Sequence, residues 1–366
     1  MPVFLTNQDV ERVLTMAECM DALEEAHREL AFDRAVVGPT FRILTPRRPE
    51  EVPGATAPVH HVYTSLSASI LKWDVVCHRV DSDFIHYPVV DGRRRQVRLP
   101  GMPSKKFCGF VDLFNSLTGE LEAVIHDGYL QKFRVAGIEA LGTKFLAKRD
   151  ARVLGLIGSG WQAGAAIQAH CLVRRFDLVK VYSPNKDNRE RFARTWSITL
   201  GVPVKAVESA EEAVRGSDVV NAVTNALDPV IETDWLEPGM FITTVKDSNE
   251  LELETLERAD MVVTNHPGPM WVRYAIGGFE GFPEHMKEYW GTSSRIDWEH
   301  MPHLAEIIAG KRPGRQNDQE VIVLMVRGNG LQFAAVGHRV YELARARGLG
   351  REVSNDLYLQ GREYIP

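Results

Sequence analysis

The chain has 366 residues, 44% hydrophobic and 25% charged, enough apolar material for one large or two ordinary domains, which excludes a disordered or fibrous protein. With 43 Lys plus Arg against 49 Asp plus Glu the net charge is −6, and the only short basic run is Arg93-Arg94-Arg95, so no nucleic-acid partner is expected. Cys19, Cys77, Cys108 and Cys171 form no Cys-x-x-Cys pair, the N-terminus shows no leader pattern, and no apolar run approaches the ~18 residues of a membrane span; the expectation is a cytoplasmic protein with reduced cysteines and no membrane contact.

Asn7-Gln8-Asp9 open a helical pattern over residues 6–33, with Val13, Met16, Met20, Leu23 and Ala26 at three- and four-residue steps. Residues 36–127 turn to short β-rich runs (41–44, 59–63, 75–80, 109–114) split by Pro, Gly and charged clusters, which predicts a mostly antiparallel sheet. Within it, Asp91-Gly92 stands between extended runs at 86–90 and 93–98, the signal for a two-residue hairpin turn, and the arginines of the return arm read as solvated. A helix returns over 128–148. From Ala151 onward apolar runs at 153–157, 178–182, 219–223, 241–245 and 261–264 alternate with helices, the signature of parallel βαβ units. Residues 320–325 and a helix over 331–347 are expected to pack back on the first domain.

The sharpest local motif is Gly158-Ser159-Gly160-Trp161-Gln162-Ala163, Gly-x-Gly-x-x-Ala between a buried strand and a helix. Gly158 permits the tight turn, Gly160 lets the backbone approach a pyrophosphate, and Ala163 allows close helix–strand packing, so a dinucleotide site is predicted. Val223 and Thr224, ending a later strand, are assigned to the same site. The strand 178–182 ends in Ser183-Pro184-Asn185-Lys186, without the acid that usually holds the ribose 2′-hydroxyl of NAD. A hydroxyl, an amide and a cation suit a 2′-phosphate, so NADP is favoured over NAD, although Asp187 lies nearby and Asn185 and Lys186 also suit a helix cap.

No metal is expected, because the histidines lack ligand spacing: His60-His61 are adjacent and, on a strand, point to opposite faces. Serine hydrolysis is excluded by the absence of a Gly-x-Ser-x-Gly elbow. What remains is cationic residues in apolar settings, Arg42, Lys72 and Arg134, each of which, taken singly, is more often a surface or ion-pair residue, because long basic side chains usually snorkel.

Together with an ordered series of landmarks, these residues resemble the ornithine cyclodeaminase/mu-crystallin family over nearly the whole chain. The landmarks are Leu117-Thr118-Gly119-Glu120-Leu121-Glu122-Ala123, Asp127-Gly128, Arg134, Ala147-Lys148-Arg149-Asp150-Ala151-Arg152 leading into the glycine motif, Leu236-Glu237-Pro238-Gly239, Asp247 with Glu252-Leu253, and Glu306-Ile307-Ile308-Ala309-Gly310-Lys311. The resemblance implies an α/β protein: a Rossmann-type doubly wound parallel sheet at 143–321, and a β-rich α+β substrate and dimerisation domain at 1–142 completed by 322–366. It implies a homodimer, an NAD(P) cofactor and an amino, imino or oxo acid substrate. By position it makes Arg42 and Arg134 carboxylate-binding arginines, Lys72 the active-site lysine and Asp247 the aspartate that assists proton transfer. A guanidinium can grip a carboxylate through two hydrogen bonds, while a lysine disfavoured as ammonium beside arginines can exchange protons near neutral pH.

Three departures from the family stand out. Ala57-Pro58-Val59-His60-His61 replaces the glutamate of cyclodeaminases, Val135-Ala136-Gly137 follows Arg134, and Gly330-Leu331-Gln332-Phe333-Ala334-Ala335 lacks the usual acid. Two segments also look long: 83–104, and the aromatic-rich 267–298 with Trp271, Tyr274, Phe279, Phe282, Tyr289, Trp290 and Trp298, read as a cover for a bulky substrate or as packing. The favoured reading is an NAD(P)H-dependent imine reductase or amino-acid dehydrogenase. A cyclodeaminase and a crystallin-like ligand-binding protein are the alternatives.

Overall fold

The computed structural model describes residues 1–90, 92–265, 271–278 and 300–361, apart from the side chains of Asp247, Ser248 and Trp271. Asp91, the Asp247 side chain and most of the aromatic segment (Phe279, Phe282, Tyr289, Trp290, Trp298) therefore lie outside the described residues.

After β1 (Val3–Leu5), Thr6 opens α1 (Asn7–Val13): its hydroxyl accepts the Asp9 amide while the Asp9 carboxylate accepts the Thr6 amide. The opening pattern is two helices rather than one. Leu14 and Thr15 are extended, and the Thr15 hydroxyl accepts the Glu18 amide to start α2 (Met16–Ala31). The β-rich region comprises β2 (Ala35–Val37), β3 (Thr40–Arg47), β4 (Val59–Ile70), β5 (Val75–His86), β6 (Val89–Val90), β7 (Arg93–Arg94), β8 (Val97–Leu99), β9 (Cys108–Asn115) and β10 (Leu121–His126). α3 (Asp127–Leu146) leads into β11 (Val153–Ile157), α4 (Trp161–Val173), β12 (Leu178–Tyr182), α5 (Lys186–Leu200), β13 (Val204–Ala206), α6 (Ala210–Val214), β14 (Val219–Ala222), β15 (Phe241–Thr244), α7 (Leu253–Arg258) and β16 (Met261–Thr264). Then come β17 (Trp271–Ala275), α8 (Leu304–Ile308), β18 (Ile322–Met325), α9 (Gly330–Ala346) and β19 (Arg351–Glu352).

Among the described residues these strands make two large sheets. The first runs β17-β3-β4-β5-β9-β10-β1-β19, with β2 on β4 and β8 on β5, and is antiparallel except at β17–β3 and β1–β10. The second is parallel, β13-β12-β11-β14-β15-β18-β16, and changes direction between β11 and β14, the switch point of a doubly wound fold. Residues 322–325 correct the expected domain division: β18 is fully buried between β15 and β16 of the parallel sheet, so the part that returns to the first domain starts after it. An all-apolar Ile-Val-Leu-Met run fits a strand covered on both faces.

The β6–β7 hairpin forms where Asp91-Gly92 predicts it, with Val90 opposite Arg93 and Gly92 at φ +75°. Its arginines are not all solvated. Arg94 pairs with Asp228 through both backbone and guanidinium, and Gln96 N–H donates to the Asn225 carbonyl at 2.9 Å, so the arm docks on the parallel-sheet domain.

α9 lies on the first sheet, where Gly330 leaves no room for a side chain against Ser67 and Gly337 sits beside Val111 and Leu113. α3 is shared by both halves. Gly142 admits the Phe241 and Leu324 side chains, and a buried chain of Thr143, His170 and Asn221 (2.8 and 2.9 Å) ties α3 to α4 and β14. Burial lowers the His170 pKa to about 3, so the imidazole in this chain is neutral. Among the described residues no helix is long and apolar enough to cross a membrane.

Candidate functional site

The glycine motif lies at the switch point, at the C-terminal ends of β11 and β14. Gly158 has φ +123°, and a side chain there would overlap the Val223 carbonyl oxygen, so both backbone and space demand glycine. Gly160, the N-cap of α4, has open space where its side chain would be, room for a phosphate group against the helix N-terminus. Ala163 is fully buried, and Ser159 and Ser183 share a hydroxyl–hydroxyl hydrogen bond of 2.7 Å. Asn185 caps α5 by accepting the Asn188 amide, while Lys186 is mostly exposed. The Gln162 amide donates to the Lys132 carbonyl at 2.8 Å, holding α4 against α3, and Trp161 is exposed beneath the Lys132 ammonium. These residues fit a dinucleotide: a left-handed glycine, an open phosphate position and hydroxyls at the ribose end.

The second half of the site is built by strand alternation. Side chains two apart share a face, so β5 presents Arg79, Asp81 and Asp83 together. Register then sets Arg273, Arg42, Thr64 and Asp81 in one row across β17, β3, β4 and β5. The next position in that row is Gly109, whose missing side chain leaves space for the Asp127 carboxylate. Arg79 donates to Asp127 (2.9 and 2.5 Å) and to Asp81 (2.5 Å), and Arg98 from β8 donates to Asp81 (2.5 Å) and Asp83 (2.6 Å).

Arg134, from the second turn of α3, stands apart from these ion pairs. It is 5% exposed and donates to two neutral amides, Gln332 at 2.5 Å and Gln131 at 3.0 Å. Its guanidinium lies 4.6 Å from the Phe333 ring centre, the ring that also faces Arg79 at 4.9 Å. Burial, then Arg79, push its pKa down to about 9. The cation is thus costly where it stands, and an arriving anion relieves it. Gly328, just beyond β18, passes directly under the guanidinium, which puts Arg134 at the C-terminal edge of the parallel sheet.

The loop after β15 is fixed by Glu250, a residue that sequence reasoning missed. Its carboxylate accepts the Thr224 amide and hydroxyl (2.8 and 2.7 Å) and the Val245 and Lys246 amides (2.9 and 3.0 Å), so the turn carrying Asp247 is stapled to Thr224. Lys246 also reaches Gln96 of the docked arm at 2.9 Å. Val223 thus borders the Gly158 turn through its carbonyl, and Thr224 is held by this staple.

Arg42 and Arg134 are brought to the same face, but Lys72 is not. It occupies a short turn (Leu71–Trp73) between β4 and β5, is half exposed and pairs with Glu25, which raises its pKa. A lysine poised for proton exchange would instead be lowered by burial, so Lys72 is corrected from a catalytic to a surface residue. The cation on the site-facing side of β5 is Arg79, seven residues later. The signal for it was present: Arg79, Asp81 and Asp83 alternate along one strand.

A parallel-sheet nucleotide crevice beside a face of buried arginines defines a dinucleotide-binding protein. More narrowly, the chain belongs to the ornithine cyclodeaminase/mu-crystallin family, whose model matches residues 94–348. It is 27% identical over 365 residues to the alanine dehydrogenase of Archaeoglobus fulgidus, covering 96% of this chain and 98% of that one. It is 29% identical over 250 residues to the iminosuccinate reductase of Paracoccus denitrificans, covering 66% and 72%. The structure of Thermococcus litoralis Δ1-pyrroline-2-carboxylate reductase in complex with NADH and L-proline superposes with a TM-score of 0.74 at 25% identity, over 96% of this chain and all of that one.

Proposed function

We propose that this chain is an NAD(P)H-dependent oxidoreductase of C=N and CH–NH bonds, reducing the imine of a 2-oxo acid or oxidising the corresponding amino acid. The observation that carries this reading is Arg134: a buried guanidinium with only neutral hydrogen-bond partners, at the C-terminal edge of a dinucleotide-binding sheet. The nicotinamide supplies a hydride when bound. Gly158, Ser159, Gly160 and the α4 N-terminus hold the pyrophosphate, and Val223 and Thr224 line the nicotinamide end.

Arg134 grips the substrate carboxylate, which fixes the adjacent imine carbon in orientation. As that carbon gains a hydride, the C=N π pair returns to nitrogen, and Asp247 supplies or stabilises the proton on nitrogen. The packed face of Phe333 and the apolar strand residues exclude water. NADP is placed ahead of NAD because Ser183 and Lys186, with no carboxylate at the end of β12, suit a 2′-phosphate. A homodimer is the expected assembly.

The test follows absorbance at 340 nm with NADPH and NADH separately, against 2-oxo acids mixed with ammonia or methylamine. Oxidation that requires both acid and amine is expected, faster with NADPH. Oxidation with the oxo acid alone, or with no pair, overturns the reading.

A further inference from the structure

The Glu250 side chain receives four donors. One carboxylate oxygen accepts the Thr224 amide and hydroxyl, the other the Val245 and Lys246 amides. Three of these donors are backbone N–H groups, which cannot reverse. A proton fits only on the oxygen facing Thr224, and only if that hydroxyl, which already accepts the Ala226 amide at 3.1 Å, turns from donor to acceptor. The charge that strengthens the three amide bonds is lost with it. The staple is therefore built for a carboxylate.

Its surroundings work against that charge. Glu250 is fully buried, and burial, opposed first by the Thr224 bonds and then by Lys246, raises its pKa to about 7. Among the described residues, the ionisable groups acting here are Lys246 in the same turn and Glu139 of α3; Val230 and Ile231 meet Glu250 through backbone amides. Glu139 is fully buried, and the Asn221 amide nearby satisfies neither of its carboxyl oxygens. Burial, against the pull of Asn221 and with the push of Glu250, holds Glu139 neutral. Two buried acids thus sit in opposite forms, and the ionised one ties together two loops at the C-terminal edge of the parallel sheet, where such sheets take their ligands.

We propose that Glu250 is a positioning residue of the nucleotide crevice that acts only as a carboxylate: ionised, it holds the loops after β14 and β15 in the arrangement that receives the dinucleotide, and protonated, it releases them. The inference rests on the dinucleotide reading above. Binding then expels a proton from Glu250, and affinity weakens as pH falls through about 7, since only the ionised fraction is competent.

The experiment is calorimetry of NAD+ and NADP+ between pH 5.5 and 8.5, in buffers of differing ionisation enthalpy, on the wild type, Glu250→Gln and Thr224→Val. The NAD+ pyrophosphate keeps its charge over this range, and any titration of the NADP+ 2′-phosphate is common to all three proteins. The wild type should lose about 30-fold in affinity from pH 8.5 to 5.5 and release about one proton on binding at pH 6. Glu250→Gln should bind weakly, with a flat profile and without that proton. Thr224→Val removes one donor from the carboxylate, so its midpoint should move up, and it decides the matter if Glu250→Gln does not fold. A flat wild-type profile, a profile that Glu250→Gln reproduces, or an unmoved midpoint in Thr224→Val overturns the proposal and leaves the dinucleotide reading standing. Failure of the wild type to bind either nucleotide at pH 8.5 overturns that reading and the proposal with it.

Discussion

Replacing Arg134 with methionine separates the two roles that the structure gives this residue. Burial, then Arg79, bring its pKa down to about 9, so the charged form is disfavoured relative to the unfolded chain by an amount on the order of a few kcal/mol. The sign follows from the direction: a base with a depressed folded pKa binds its proton less tightly when folded, so folding is penalised at every pH below about 9. Against this stand the bonds to Gln332 and Gln131 and the Phe333 face, whose loss costs on the order of 1–3 kcal/mol. A buried charge replaced by an apolar side chain of similar length is often neutral or stabilising, so Arg134→Met should unfold no earlier than the wild type and gain up to a few kcal/mol. Activity should move the other way. A substrate carboxylate left without its bidentate partner costs roughly 2–4 kcal/mol, a drop of about 30- to 1000-fold in kcat/KM. Denaturant melts and steady-state kinetics on one preparation read both. A variant that is less stable yet kinetically normal would refute the reasoning, because it would make Arg134 a structural residue.

Lys72→Ala should leave the melting temperature essentially unchanged and kcat/KM changed by less than about twofold, since its pair with Glu25 is a half-exposed surface bridge; a collapse of kcat in that variant would return it to the site. Gly160→Ala meets no atom and should leave the melting temperature unchanged while raising the nucleotide Kd about tenfold or more, whereas Gly158→Ala should destabilise by about 1–3 kcal/mol through its φ of +123° and the Val223 carbonyl; equal effects on folding and binding in the two variants would contradict the crevice. Burial raises the Asp83 pKa from 3.8 to about 6, against the pull of Arg98, and then of Arg42 and Arg79, and with Asp81 adding to the rise. A carboxyl raised on folding stabilises the fold while protonated and loses that stability as pH rises through 6. The stability of the wild type relative to Asp83→Asn should therefore fall by about 1.4 kcal/mol between pH 5 and 7.5, and a pH-independent difference in paired melts would show that Asp83 does not titrate there.

What the sequence reveals follows from how local each signal is. The parallel strands and their helices, the glycine motif and the hairpin turn all depend on neighbours within a few residues, and the structure places them within one or two residues of the expected positions. The split between α1 and α2 depends on a single capping threonine inside an unbroken apolar period, which periodicity does not register. β18 was assigned to the wrong half because a buried apolar run fits either sheet; only its pairing with β15 and β16 decides. Lys72 illustrates the opposite error. A lysine between Leu71 and Trp73 looks like a buried cation in sequence, yet the chain turns there, Asp74 adopts φ +47°, and the side chain leaves the face on which Arg79 stays.

The docked arm connects the charge row to the nucleotide crevice mechanically. Arg98 grips Asp81 and Asp83 at the substrate face, and four residues earlier Arg94 grips Asp228, while Gln96 holds both the Asn225 carbonyl and the Lys246 ammonium. Lys246 belongs to the turn stapled by Glu250 to Thr224. Residues 94–98 therefore span from the acidic face of β5 to the loops that follow β14 and β15. An extended strand rises about 3.3 Å per residue, so five residues bridge some 13 Å between their ends with little slack. Shortening this arm by even two residues would have to break one grip or draw the two sheets together. The spacing between the charged row and the glycine-motif crevice is thus bridged by a covalent spacer, and an insertion that in sequence looks like surface decoration ties the two sheets together.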